Sequence, residues 1–334
     1  MPVAPGGTVR RLHMLIWALL LLPAAARSQT VWEMPTEYPQ SAMSGLGVTT
    51  FARHVAELSA GNLLIQPSFD AAKGIRSADM LTAIAQRRVQ AGDAFAGALE
   101  AEDAIFALPS LPFLVTSIDD ARRLADLARP YIAAALHARG QHLLYLTPWP
   151  PSGIWSKTPL KTMSDLSGLS IRTYDQTSRQ VFASAGAKAI SISFADTMPK
   201  LVDGSIDAVL SSGDGGVGRE LWKILPYFSE ITYSLPMSVA SVNQAVYDGL
   251  TPALREAVDS ASRQTESELW LALSTRLREN YARMRGNGVT IDTHPAPAMI
   301  AALQSGAAAA QQAWCARSGP ACEPILGAFR AGKP

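Results

Sequence analysis

An imbalance of charge is absent from this sequence: its 334 residues carry 29 basic and 28 acidic side chains. Nucleic-acid binding normally shows a basic excess or stripe, and neither is visible. Cysteine is scarce, with only Cys315 and Cys322 in the segment WCARSGPACEP. The five histidines, His13, His54, His137, His142 and His294, are scattered, and none stands near that pair, which argues against a metal site. There is no G-x-S-x-G nucleophile elbow and no local pairing of Ser or Cys with His that would suggest a hydrolase. Solenoid-period repeats, heptad runs and low-complexity tails are also missing.

What is present is globular: 48% hydrophobic and 17% charged residues. The length exceeds what one hydrophobic core usually holds, so two lobes are expected. The N-terminal segment stands apart. Arg10 and Arg11 precede the apolar run Met14–Leu22, followed by Pro23, Ala24, Ala25, Ala26, Arg27 and Ser28, the layout of a secretory signal peptide cleaved after Ala26 or Ser28. The run is too short to cross a bilayer, and no cysteine follows it to take a lipid. Without residues 1–28 the chain keeps 26 basic and 28 acidic residues, a net charge of −2. In an exported protein Cys315 and Cys322 read as a disulfide, with Gly319 and Pro320 in the turn between them.

The stretch from Leu169 to Gly218 organises the rest and reads as β-α-β-α-β. Leu169–Thr173 is a short apolar strand carrying one cation, Arg172, and Asp175 caps a helix that ends at Gly186. Ala189–Ile192 and Ile206–Leu210 are the other strands, with a short helix ending at Gly204 between them. Parallel units of this kind collect ligands at the carboxyl ends of their strands, and Arg172 lies near one such end.

Before this stretch, Thr30–Met34 and Asn62–Ser68 read as strands, and Ser44–Ser59 and Ser77–Arg88 as helices. Ala104–Leu114 holds two prolines and is expected to be irregular. Asp119–Arg139 is a helix, Gln141–Leu146 a strand, and TPWPPSGIW a crossover or loop flanked by Trp149 and Trp155. After it, VASVNQAVY is strand-like, and Thr251-Pro252 opens a helix continuing to about Arg285, about 50 Å if unbroken. Gly288–Ile291 is a late strand and Ala296–Gln312 a final helix.

Three segments together resemble the extracytoplasmic solute-binding subunit of tripartite ATP-independent periplasmic (TRAP) transporters, the dicarboxylate-receptor type. FALPSLPFLVTSIDDARRL matches that family's proline-broken segment leading into a helix, MSDLSGLSIRTYD its Arg-bearing strand, and FADTMPKLVDGSIDAV its short helix turning into a strand. The resemblance implies an α/β, two-lobed periplasmic-binding-protein fold with crossing hinge strands and a long helix spanning both lobes. It implies lobe I at 29–149 plus about 239–279, and lobe II at 150–238 plus about 280–334. The partners implied are a small carboxylate ligand and a TRAP-type membrane permease, with no cofactor, no catalysis and a periplasmic location.

In that likeness Arg172 grips the ligand's carboxylate through its planar fork of donors. Phe194 matches a cleft-lining aromatic, and Ser211 falls where many relatives carry an Asn. Trp149, Trp155, Tyr38 in the PTEYPQ loop and Asp93 in VQAGDAFAGAL complete the candidate ligand contacts. Where some relatives have a second Arg before the motif, this chain has PPSGIW, so the expected ligand is a monocarboxylate with an apolar or aromatic body. Two other functions are weighed. GDGGVG, residues 213–218, fits G-x-G-x-x-G and would suit an exported dinucleotide-dependent oxidoreductase, but no acidic residue ends a following strand, and a flexible loop is the preferred reading. A receptor presenting its ligand to a sensor would look the same in sequence.

Overall fold

The computed structural model describes residues 29–332, so the signal-peptide reading lies outside the described residues. In chain order the elements are β1 (Thr30–Pro35), α1 (Met43–Leu58), β2 (Leu63–Ser68), α2 (Met80–Ala85), β3 (Ala91–Phe95), α3 (Ile118–His137), β4 (Gln141–Pro148) and β5 (Ser152–Ser156). There follow α4 (Met163–Leu166), β6 (Ser170–Thr173), α5 (Gln176–Ser184), β7 (Lys188–Ser191), α6 (Thr197–Val202), β8 (Ala208–Ser212), α7 (Gly213–Gly218) and β9 (Tyr227–Ser229). The chain closes with β10 (Met237–Asn243), α8 (Gln244–Asp248), α9 (Pro252–Gly286), β11 (Thr290–Asp292), α10 (Pro297–Ser318) and α11 (Cys322–Ala331).

Two halves follow from the sheets. A first half holds the parallel pair β1-β2 and the antiparallel sheet β3-β10-β4; the second is built on a six-stranded sheet in the order β11-β9-β5-β8-β6-β7. The chain passes between the two sheets three times, from β4 to β5, from β9 to β10, and along α9 to β11. The 35-residue helix α9 packs on α1 and β4 of the first half and on α7 and β11 of the second. Its start follows the sequence: the Thr251 hydroxyl accepts from the Leu254 amide, and Pro252 fills the first turn, where a missing N–H costs nothing.

The central stretch forms as its residues dictate. β6 lies parallel to β7 and to β8, the Asp175 carboxylate caps α5 through the Ser178 amide, and the helix ends ahead of Gly186, whose φ of +92° no side-chain-bearing residue adopts easily. Hydrophobic side chains of both halves merge into one extended core, while Trp155, Val209, Leu221, Phe228 and Met284 belong to a second, smaller cluster under α7.

Three sequence expectations are corrected and one is narrowed. TPWPPSGIW is the expected crossover between the halves, but strands reach into it from both sides: Pro148 ends β4 and Pro150 and Pro151 precede β5, where a Cβ at Gly153 would fall 2.4 Å from the Phe228 ring. Ala104–Ser110 forms 3₁₀ turns despite Pro109, with the Asp103 carboxylate accepting the Ile105 amide. VASVNQAVY breaks at Asn243, whose side chain caps α8, so only its first half is strand. GDGGVG is neither a flexible loop nor a phosphate-binding turn but the short helix α7, with residues 213–217 buried. Helix α11 was not anticipated; Cys315 and Cys322 are joined at its start, their Cα atoms 5.0 Å apart.

Candidate functional site

The carboxyl ends of β6, β7 and β8 face the first half, and the polar groups of the chain's central cleft gather there. Arg172 comes from β6 and is only 3% exposed. Its Nε donates to the Ile192 carbonyl at 3.0 Å and Nη1 to the Leu210 carbonyl at 3.2 Å. These two bonds hold the guanidinium across the strand ends and leave three of its five N–H donors for other acceptors. Burial lowers its proton affinity, while the nearby Tyr38 and Glu37 raise it; a guanidinium stays charged regardless. It is therefore a desolvated cation among aromatic side chains.

Three aromatic rings line the space beside it. Phe194 has the Arg172 guanidinium 5.5 Å from its centroid and the Arg219 guanidinium 5.7 Å away. Tyr38, from the loop after β1, stacks on Phe194 at 5.3 Å and leans on Trp149 at 4.7 Å. The Trp149 indole N–H donates to Ser238 Oγ at 2.9 Å, fixing the ring's orientation. Tyr38, Phe95, Trp149, Ser152, Arg172, Tyr174, Phe194, Ser211, Ser212 and Pro236 enclose a gap of about 20 Å³. It adjoins a larger cavity of about 260 Å³, which shares Tyr38, Phe95, Arg172, Tyr174 and Phe194 and adds Glu37, Gly97, Glu100 and Asp175.

Five of the seven sequence-derived candidates are thus brought together: Arg172, Phe194, Ser211, Trp149 and Tyr38. Two are not. Trp155 is fully buried in the smaller core cluster, with its indole N–H on the Ser212 carbonyl and Gly216 of α7 against its ring. It sits one layer below the cavity because Gly153, two residues nearer the start of β5, pairs with Ser211. Asp93 is also fully buried and lines neither cavity; its Oδ1 accepts from Thr36 Oγ1 at 3.0 Å, and burial pushes its carboxyl up to about 7.

The sequence reading did not single out Glu37 or Glu100, and it gave Asp175 only as a helix cap. Glu37 has each carboxylate oxygen on an amide of a different half: Ser77 N–H at 2.8 Å and Ala195 N–H at 2.9 Å. Glu100, from the first half, accepts the Gln176 amide at 2.6 Å and the Thr177 hydroxyl at 3.0 Å at the start of α5. Asp175 is pushed up to about 7, chiefly by burial and then by Glu100, and among the described residues its Oδ2 has no partner. Only the adjacency of Glu37 to Tyr38 in PTEYPQ could have pointed to it. Among the described residues no cluster of three or more His, Cys, Asp or Glu could hold a metal, and no helix is long and apolar enough to cross a membrane.

The arrangement can desolvate a small anion and neutralise it with one fork of donors between aromatic faces. The profile of the family described as bacterial extracellular solute-binding protein, family 7, matches residues 34–314. Among solved structures, DctP7 of Bordetella pertussis, an extracytoplasmic solute receptor binding pyroglutamic acid, is 28% identical with a TM-score of 0.86, over 90% of this chain and 99% of that one. DctP6 of the same organism, also a receptor binding pyroglutamic acid, is 26% identical with a TM-score of 0.86, over 90% and 100%. A TRAP periplasmic solute-binding protein from Desulfovibrio desulfuricans, with bound sn-glycerol-3-phosphate, shares the fold at 19% identity and a TM-score of 0.83, over 91% and 99%.

Proposed function

The chain belongs to family 7 of the bacterial extracellular solute-binding proteins, and from that membership we propose that it captures a compact monocarboxylate in the periplasm and delivers it to a TRAP-type permease. Export through the N-terminal signal is part of the same proposal. The observation that carries the ligand class is Arg172: one buried guanidinium, with donors left over, facing an aromatic cavity. One cation suits one carboxylate. The rings of Tyr38, Trp149 and Phe194 suit an apolar, flat or cyclic body, and a volume of about 260 Å³ falls just below the usual range for ligand pockets, about 300–1,000 Å³. The two Bordetella pertussis receptors at 28% and 26% identity bind pyroglutamic acid, a small cyclic monocarboxylate that fits this description. Pyroglutamate is therefore the first ligand to try.

Mass spectrometry of ligand released by denaturing the purified protein, followed by calorimetric titration of pyroglutamate and a panel of mono-, di- and tricarboxylates, tests the proposal. Monocarboxylates are expected to bind and the larger acids to bind weakly or not at all. Arg172→Ala should weaken binding by about a hundred- to several-thousand-fold, because removing one partner of a buried ion pair costs about 3–5 kcal/mol. A protein that prefers tricarboxylates, or whose Arg172→Ala variant binds as well as the parent, has been read wrongly.

A further inference from the structure

Helix α1 has 16 residues, yet Ala42 at its N-cap offers no side-chain acceptor and its first turn holds no acidic residue. Such an end leaves backbone N–H groups in need of partners. The partner comes from the other half of the molecule. Asp214, the second residue of α7, is fully buried, and its Oδ2 accepts the Met43 amide at 2.7 Å. Its Oδ1 accepts from Arg276 Nε at 2.6 Å and from Asn280 Nδ2 at 2.9 Å, both on α9. Arg276 also donates to the Ser41 carbonyl, in the segment between Tyr38 and α1. One carboxylate thus joins α7, the uncapped end of α1 and the helix that runs through both halves.

The glycines around it let α7 pack closely, Gly215 and Gly216 against its own half and Gly218 against the first half. A Cβ at Gly215 would lie 2.4 Å from Ser211 Oγ, one at Gly216 2.2 Å from the Trp155 ring, and one at Gly218 3.0 Å from Pro39 Cγ in the first half. Only a glycine-faced turn of helix can sit this close to all three. Ser211 lines the cavity, and Pro39 follows Tyr38 in the loop that covers it. The position of α7 therefore sets how near the floor and the cover of the cleft approach.

We propose that GDGGVG is the seat on which the cleft closes, with Asp214 as a positioning residue that caps α1 from across the cleft and so holds Ser211 and Tyr38 at their closed separation. The proposal takes the cleft around Arg172 as the ligand site. In this structure Asp214 bonds to the Met43 amide, Arg276 and Asn280. Opening parts it from the Met43 amide, which strips α1 of its cap, so Asp214 favours closure and slows ligand release while leaving the encounter rate unaffected.

Two exposed helical positions, Thr82 on α2 and Lys200 on α6, report the separation of the halves. With both changed to Cys and spin-labelled, inter-label distances are measured with and without pyroglutamate, in the parent, in Asp214→Asn and in Gly218→Ala. Both variants are expected to shift the distances longer. Pyroglutamate release should quicken about tenfold in Asp214→Asn and by less in Gly218→Ala, with association within about twofold of the parent. Parental distances and release rates in both variants, even with a lowered melting temperature, would show that Asp214 is only a structural cap and overturn the proposal. If pyroglutamate does not bind the parent, the assignment of the ligand fails, and the distances measured without ligand still decide the role of Asp214.

Discussion

Two buried carboxyls give single residues a measurable signature. Asp175 and Asp93 are both pushed up to about 7, chiefly by burial. Unfolded, each titrates near the ordinary 3.8, so between about pH 4 and 7 the folded chain holds protons that the unfolded chain has shed. Their contribution to stability is then fully present below about pH 4 and is lost as pH rises through about 7. His142 has the opposite sign, since burial lowers its proton affinity and its protonation opposes folding on acidification. A difference between variants isolates one group. Asp175→Asn keeps an acceptor for the Ser178 amide and removes the titration, so its melting temperature should gain on the parent's from about pH 5 to about pH 7 and level off above that, at fixed ionic strength. A gap that is constant, or that favours the variant on acidification, would count against the raised carboxyl. The sequence made only part of this cluster legible. Arg172 stood out as a lone cation in an apolar strand, whereas Glu37 looked like an ordinary polar loop residue because its two amide partners, Ser77 and Ala195, lie 40 and 158 positions away.

Elements were legible where local chemistry alone determines them. The Thr251-Pro252 start of α9, the Asp175 cap of α5 and the Gly186 stop each need only a few neighbouring residues. They failed to show where tertiary contact overrides local signal. β5 forms beside two prolines because β8 and β9 pair with it on either side. The GDGGVG helix forms although glycine disfavours helix, because a bulkier residue would not fit. Gly216→Ala tests this packing directly. Its Cβ would meet the Trp155 ring at 2.2 Å, and that ring is held by its bond to the Ser212 carbonyl, so overpacking should cost about 1–3 kcal/mol in urea unfolding. Gly286, the last residue of α9, supplies the contrast: nothing lies within 4 Å of its would-be Cβ. Gly286→Ala should be neutral or stabilising by up to about 1 kcal/mol. Equal effects at the two positions would mean that helix propensity, not the approach to Trp155, governs α7.

At the scale of the whole molecule, the halves are tied together on both sides of the aromatic cavity. On one side Arg76 pairs with Asp196 at 2.8 Å and Arg219 with Asp70 at 3.0 Å, beside the buried Glu37. On the other, Glu100 holds the start of α5. The family likeness made two halves and a long connecting helix legible in advance. These ties were not, because each joins residues more than 75 positions apart that carry no shared local pattern. The two ion pairs are partly solvated, so each is worth only about 0.2–1 kcal/mol, and their effect should fall on the closed state that contains them. Arg76→Gln with Asp70→Asn removes both and leaves Arg219 against Phe194; Asn also tolerates the left-handed backbone of Asp70, where φ is +57°. Ligand release should quicken about two- to thirtyfold in the double variant, with little change in association, since 1.4 kcal/mol is about a factor of ten. Salt separates this effect from loosened packing. Exposed pairs are screened at high ionic strength, so added salt should speed release from the parent toward the variant's rate and change the variant little. If release is salt-insensitive in both, the ion pairs at the cleft do not restrain opening, and closure rests on the buried contacts of Glu37, Glu100 and Asp214 alone.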